Sequence, residues 1–299
     1  MRGPTQPDLT AGDVTGLVRE ALGPRVRVAE AAELSGGGFA TVWRARLDDG
    51  RQVRVKAGPP PGTPLLGYEH GLIAAEAAYF RLAGGRAPVP EVLYEGDNWL
   101  LTTMLPGRPI TAADVAVRAE LGAAVRRVHE VSGPRFGYTG DRPSGADWPT
   151  AFAAALDGLR ADAGHWGVPL PELDGLVERH RGALAEVERP ALLHFDLWDG
   201  NVLVSRGRLT GLVDGERYLY GDPLLDLVSP ALFRRIEEEP DHPFLRGYGP
   251  VEFTASARTR LALYRVHLYV LMLAEAPSRG QPVGDERLTG LLTDELRRL

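Results

Sequence analysis

The chain has 299 residues, 44% of them hydrophobic and 25% charged, the balance of an ordinary globular protein with room for two lobes. It contains no cysteine, which excludes disulfides, thiolate metal sites and a cysteine nucleophile. The net charge of −6 argues against nucleic acid as a partner and slightly favours a cationic or neutral substrate.

The first residues, Met1 to Pro7, lack the apolar stretch of a signal peptide. A short helical pattern runs from Val14 to Leu22. Leu34-Ser35-Gly36-Gly37-Gly38-Phe39 is a glycine-rich turn, and the alternation that follows it through Ala45 predicts a strand. Asp48-Asp49-Gly50 is a hairpin signal, and a second alternating run covers Gln52 to Ala57. Tyr68 to Ala83 has helical periodicity; Val89–Tyr94 and Trp99–Met104 predict two further strands of the same sheet.

Leu105-Pro106-Gly107 breaks the pattern and divides the chain into an N-terminal lobe, 1–104, and a C-terminal lobe, 105–299. Helices are predicted over 112–131, 149–163 and 171–187. A strand-rich insert over 192–213 precedes helices near 223–236, 253–275 and 285–298. The segment 261–276 is the most apolar, but it carries Arg265 and His267 and is too short to span a bilayer. A strand-rich lobe followed by a helical one is an α+β arrangement, and the expected location is cytoplasmic with no membrane partner.

Lys56 is the sole lysine among 34 Lys and Arg residues. It sits in the second alternating run, downstream of Gly36-Gly37-Gly38-Phe39. Glycine lets backbone N–H groups approach a phosphate closely, and an ammonium supplies charge to it, so this order suits a nucleotide clamp. Such a lysine needs a carboxylate on the following helix. Glu69 and Glu76 are spaced to share one helical face, and both are open.

The segment His194-Phe195-Asp196-Leu197-Trp198-Asp199-Gly200-Asn201 lies between apolar strands. A carboxylate at Asp196 can accept a hydroxyl proton, and the Asn201 carboxamide can turn back to a metal ion. Asp214 ends the apolar run Leu212-Val213 and suits a second Mg²⁺ ligand, since that ion takes few carboxylates plus phosphate oxygens. Phosphoryl transfer needs this set because its work is positioning and charge neutralisation. Asp222-Pro223 reads as a helix start, with Asp226 bracing the catalytic loop. His194 suits an orienting role rather than that of a base.

The run from His194 to Asn201, Asp214, and Gly221-Asp222-Pro223-Leu224-Leu225-Asp226-Leu227 resemble the signature of aminoglycoside phosphotransferases and their relatives. These small-molecule kinases include the choline and fructosamine kinases. Leu105-Pro106-Gly107, Leu121 to His129 and Phe136-Gly137-Tyr138 also stand where that family has landmarks. The resemblance covers most of residues 34–275. It implies a protein-kinase-like bilobal fold that binds ATP and Mg²⁺ in the cleft, with Asp196 as catalytic base and Asn201 and Asp214 on the metal. It favours Glu76 over Glu69 as the partner of Lys56, and it implies that Thr102, Thr103 and Met104 read the adenine.

The chain departs from that pattern at Phe195, where the family has glycine, and at Gly215, where it often has an aromatic residue. Trp198 resembles the Asp-Leu-Trp of fructosamine kinases. With Trp198 and Glu216, Asp199 is expected at the acceptor, where a carboxylate could hold a cationic group. The acidic run Glu237-Glu238-Glu239 could also attract an amine, although a solvated helix end explains it more simply. The expected function is ATP- and Mg²⁺-dependent phosphorylation of a hydroxyl on a small, amine-bearing molecule, aminoglycoside-like or an amino sugar. A ketosamine kinase is the alternative. A protein kinase is disfavoured, because Trp198 stands where such enzymes usually carry a lysine. A non-catalytic nucleotide-binding pseudokinase is a further alternative, which no residue here favours.

Overall fold

The computed structural model describes residues 3–35 and 37–299. Gly36, first glycine of the expected phosphate turn, lies outside the described residues. The helices are α1 (Ala11–Leu22), α2 (Leu72–Ala83), α3 (Val115–Val128), α4 (Trp148–His165), α5 (Leu176–Arg179), α6 (Arg181–Ala185), α7 (Pro243–Tyr248), α8 (Ala255–Ser278) and α9 (Glu286–Leu296). The strands are β1 (Val28–Glu33), β2 (Thr41–Leu47), β3 (Gln52–Ala57), β4 (Val92–Gly96), β5 (Trp99–Thr103), β6 (Arg108–Pro109), β7 (Phe136–Gly137), β8 (Ser144–Gly145), β9 (Ala191–Leu193), β10 (Val202–Ser205), β11 (Arg208–Leu212) and β12 (Leu219–Gly221).

The first five strands make one antiparallel sheet in the order β1-β2-β3-β5-β4. Helix α1 begins with a reciprocal cap: Thr10 Oγ1 accepts the Asp13 N–H at 3.2 Å, and the Asp13 carboxylate accepts the Thr10 N–H at 2.8 Å. Its Val14 and Val18 are buried against Trp43, Ala45, Leu47, Val53, Val55 and Leu101 on one face of the sheet. Each buried valine or leucine here contributes about 1.5–3 kcal/mol. Because side chains alternate across a strand, Arg54, Lys56 and Leu100 face the other side, where α2 packs.

Helix α2 is shorter than its periodicity predicts. Gly71 adopts a left-handed φ of 72°, which separates a turn of 3₁₀ helix at Gly67–Glu69 from the helix proper. Glu69 and Glu76 therefore do not share a helical face. The Glu69 carboxylate accepts the Leu66 N–H at 2.9 Å and pairs with Arg279.

The chain leaves the sheet through Leu105–Gly107, and β6 pairs with β10, which also pairs with β11. Strands β8-β7-β12-β9 form a further sheet. Around these lie α3, α4, α7 and α8, the last buried on all sides through Leu261, Leu263, Tyr264, Val266, Val270 and Leu271. None of the described helices is long and apolar enough to cross a membrane.

Two predicted helices are not continuous. The segment over 171–187 breaks at His180 into α5 and α6. Near 223–236 only a 3₁₀ turn, Pro223–Leu227, forms, since Pro230 disfavours helical backbone at Ser229. The architecture is α+β, as expected.

Candidate active site

Strand β9 delivers the loop 194–201, and β10 carries the chain away. The Asp226 carboxylate accepts the N–H of His194 at 2.8 Å and of Phe195 at 2.6 Å. His129 Nε2 lies 3.0 Å from the same carboxylate. Phe195 has a left-handed φ of 67°, which explains why glycine suits this position. The chain tolerates phenylalanine there by burying its ring against His267, centroids 5.3 Å apart.

His194 Nδ1 accepts the Asp196 N–H at 3.2 Å, so its Nε2–H donates to the Val213 carbonyl at 3.0 Å. That pairing makes His194 an orienting clamp between the loop and the strand before Asp214, not a base. Ser229 Oγ accepts the Leu197 N–H at 3.0 Å. With the backbone so held, the Asp196 carboxylate is left partly open, and Arg217 Nη1 lies 3.7 Å from its Oδ2. Arg217 is in turn anchored by the Glu275 carboxylate at 2.7 and 2.9 Å. Asn201 Nδ2 donates to the Asp196 carbonyl at 2.9 Å, which turns its amide oxygen to other use. The Val213 N–H donates to the Asn201 carbonyl at 3.1 Å, drawing Asp214 to the same place.

Asp214 also has left-handed backbone, φ 56° and ψ 50°, a conformation that aspartate tolerates better than most residues. The following Gly215 passes close to a ring: a Cβ there would lie 2.2 Å from Tyr79 Cδ1. Glycine fits here because α2 places Tyr79 in that space.

Across the cleft, Lys56 Nζ lies 2.7 Å from Glu76 Oε2, 3.0 Å from Glu216 Oε2 and 3.2 Å from Asp214 Oδ1. Glu76, not Glu69, is thus its partner on the following helix. Arg54, two residues earlier on the same strand face, bridges Glu76 at 3.0 Å and Asp214 at 2.7 Å. Burial works against the charge on Lys56, but the carboxylates of Asp214, Glu216 and Glu76 outweigh it and hold its pKa above the ordinary lysine value. Burial likewise opposes ionisation of Asp214, yet Lys56 and Arg54 keep its carboxyl well below the usual range. For Glu216 burial prevails, with Glu76 and Asp214 adding repulsion, and its pKa rises to about 7.

In the glycine-rich turn, Gly37 has φ 80°, open only to glycine at low cost. Thr5 Oγ1 donates to the Gly38 carbonyl at 2.8 Å, and Arg279 sits over the Phe39 ring at 5.0 Å. At the expected adenine strand the N–H groups of Thr103 and Met104 donate to the carbonyls of Glu91 and Gln52 at 3.0 and 3.1 Å. Because β5 is internal to the sheet, those two donors are already engaged, and Thr102 is buried.

The three residues expected at the acceptor separate. Trp198 is 45% exposed and lies over Gly200. Asp199 pairs with Arg118 at 2.6 Å, so it is not a free anion for a cationic group. Glu216 faces Lys56 instead, because the turn after Asp214 directs it across the cleft. The acidic run is occupied as well: Glu237 is buried against Arg265 at 2.7 Å, and Glu239 pairs with Arg234 at 3.0 Å. Arg54 and Arg217 were not anticipated. The alternation of β3 could have revealed Arg54; nothing local marks Arg217, whose place depends on α8.

The donors fit a magnesium-bound nucleotide. Asp214 and Asn201 would offer hard oxygens to the ion, and the Lys56 ammonium would meet phosphate. The carboxylates of Glu76, Asp214 and Glu216 approach within 4.8 Å of one another.

This chain belongs to the phosphotransferase enzyme family, whose pattern matches residues 30–264. A relative named "Probable ketoamine kinase" in Thermus thermophilus is 30% identical over 262 residues, 85% of this chain and 87% of the relative. Another of that name in Lactiplantibacillus plantarum is 30% identical over 53% of this chain and 61% of its own length. The match thus spans about three fifths of the first curated relatives. Among solved structures, the "putative fructosamine-3-kinase" of Thermobifida fusca aligns with a TM-score of 0.70 at 24% identity, covering 96% of this chain and all of that one. A thermostable mutant of aminoglycoside phosphotransferase APH(4)-Ia, solved with ADP and hygromycin B, aligns at 0.65 and 19% over 95% and 98%. These likenesses establish the kinase-like bilobal fold.

Proposed function

We propose that the chain is an ATP- and Mg²⁺-dependent kinase that phosphorylates a hydroxyl of a small, amine-bearing molecule. The observation that carries this reading is the meeting of the two halves. Lys56 reaches Asp214 at 3.2 Å, while Asn201, tied to the Asp196 carbonyl at 2.9 Å, accepts the N–H of Val213, the neighbour of Asp214. These contacts support a single cleft in which Lys56 would be the phosphate cation, Asn201 and Asp214 the metal donors and Asp196 the base.

Bound ATP would supply the phosphoryl group and Mg²⁺ the neutralisation of its charge. Asp196 accepts the proton of the acceptor hydroxyl and orients it. Lys56, fixed by Glu76, would meet phosphate oxygens, and the turn at Gly37 and Gly38 would cover them. Asp214 and Asn201 would hold the metal. In this reading the lobes divide at 104/105 and the protein works in the cytoplasm.

Among acceptors, the relatives named ketoamine kinase favour a ketosamine over an aminoglycoside. The test is coupled ADP release over ketosamines, amino sugars, aminoglycosides and choline-like alcohols, with Asp196→Asn in parallel. Release that depends on Asp196 and is fastest with ketosamines is expected. Release with none of these, or undiminished by the substitution, overturns the kinase reading; ATP binding without turnover would point to a pseudokinase.

A further inference from the structure

Arg54 occupies a position that the clamp described above does not require. Its guanidinium is buried, with Nη1 3.0 Å from Glu76 Oε1 and Nη2 2.7 Å from Asp214 Oδ1. The same Asp214 oxygen lies 3.2 Å from Lys56 Nζ. Two cations therefore share one oxygen of the carboxylate expected on the metal, and Glu76 is shared between the same two cations.

Charge explains the need for a second cation. Glu76, Asp214 and Glu216 bring carboxylate oxygens within 4.8 Å of one another, close enough to grip a divalent ion. Hard oxygens converging in this way attract Mg²⁺ or Mn²⁺ on their own. Lys56 alone leaves the cluster with a net negative charge. With all three carboxylates ionised, Arg54 halves the charge that Lys56 alone would leave, and in a buried site such a difference is large.

We propose that Arg54 is a positioning residue of the clamp that, with Lys56, keeps divalent metal out of the carboxylate cluster until nucleotide arrives. Bound phosphate would compete for Lys56, and Asp214, still paired with Arg54, would then be able to take the ion. Metal entry is thereby made dependent on nucleotide. This inference rests on the kinase reading for its second half only.

The test is Mn²⁺ binding followed by electron paramagnetic resonance on the full chain, without nucleotide and then with a non-hydrolysable ATP analogue. Wild type, Arg54→Gln and Arg54→Lys are compared, with thermal melts to verify folding. Without nucleotide the wild type should bind Mn²⁺ weakly, Arg54→Gln about tenfold or more tightly than wild type, and Arg54→Lys like wild type. Equal affinity in wild type and Arg54→Gln overturns the proposal. So does tight nucleotide-free Mn²⁺ binding by the wild type, a result that stands even if Arg54→Gln does not fold. Failure of the analogue to bind with Mn²⁺ in any variant would instead count against the kinase reading, and the nucleotide-free comparison would still judge Arg54.

Discussion

Asp226 holds the backbone of Phe195 from inside the core: its Oδ1 accepts the Phe195 N–H at 2.6 Å, and both residues are almost wholly buried. The left-handed turn that aims Asp196 at the cleft depends on this bond, on the 2.8 Å bond from the His194 N–H, and on His129. Replacing Asp226 with Asn would turn an amide donor towards groups that are themselves donors. Asp226→Asn should lose about 2–3 kcal/mol of stability, and activity should fall further than the lost folded population explains. Urea unfolding alongside turnover per folded molecule measures both.

Asp196 itself is different, because among the described residues its carboxylate makes no close hydrogen bond; Arg217 stands off at 3.7 Å. Asp196→Asn should leave the melting temperature within a few degrees and lower kcat by about 10²–10⁴-fold, with little change in the KM for ATP. A comparable loss of stability would place Asp196 among structural residues.

Gly215 is constrained by a ring rather than by its own backbone. A Cβ at this position would lie 2.2 Å from the buried Tyr79. Gly215→Ala should destabilise by about 1–3 kcal/mol. In the double variant with Tyr79→Leu, chemical denaturation should show a smaller loss than the sum of the two single ones, since the clash is removed once.

His267 gives a pH dependence of known sign. It is buried between Phe152 and Phe195, and burial, with Arg217 nearby, lowers its pKa from 6.5 to about 4. Between those values the unfolded chain binds a proton that the folded chain refuses. The stability associated with neutral His267 is complete above pH 6.5 and is lost as pH falls towards 4, a difference of about 3 kcal/mol. His267→Leu should flatten that part of the stability profile, read as melting temperature against pH.

The loop that carries Asp196 and the strand that carries Lys56 were legible because each is written locally. Asp196, Asn201 and Asp214 follow one another at short spacing between apolar strands, and alternation along Gln52–Ala57 assigns a face to every residue of β3. Alternation also contained Arg54, although its two partners lie on α2 and beyond β11. The choice between Glu69 and Glu76 was less local. A left-handed Gly71 breaks the helix, and periodicity alone does not show whether a glycine will break a helix or ride within it.

From its own order of residues the chain determined its α+β class, the strand that carries Lys56 and the loop that carries Asp196, since backbone periodicity and short spacings need no distant partner. Tertiary structure alone decided which charges meet. Arg118 takes Asp199, Lys56 takes Glu216, Arg265 takes Glu237, and Glu275 sets Arg217 beside Asp196. In a chain this rich in Arg, Asp and Glu, many pairings satisfy charge equally well. Packing of α2, α3 and α8 around the cleft selects among them, because only the side chains that burial brings within a few ångströms gain from pairing.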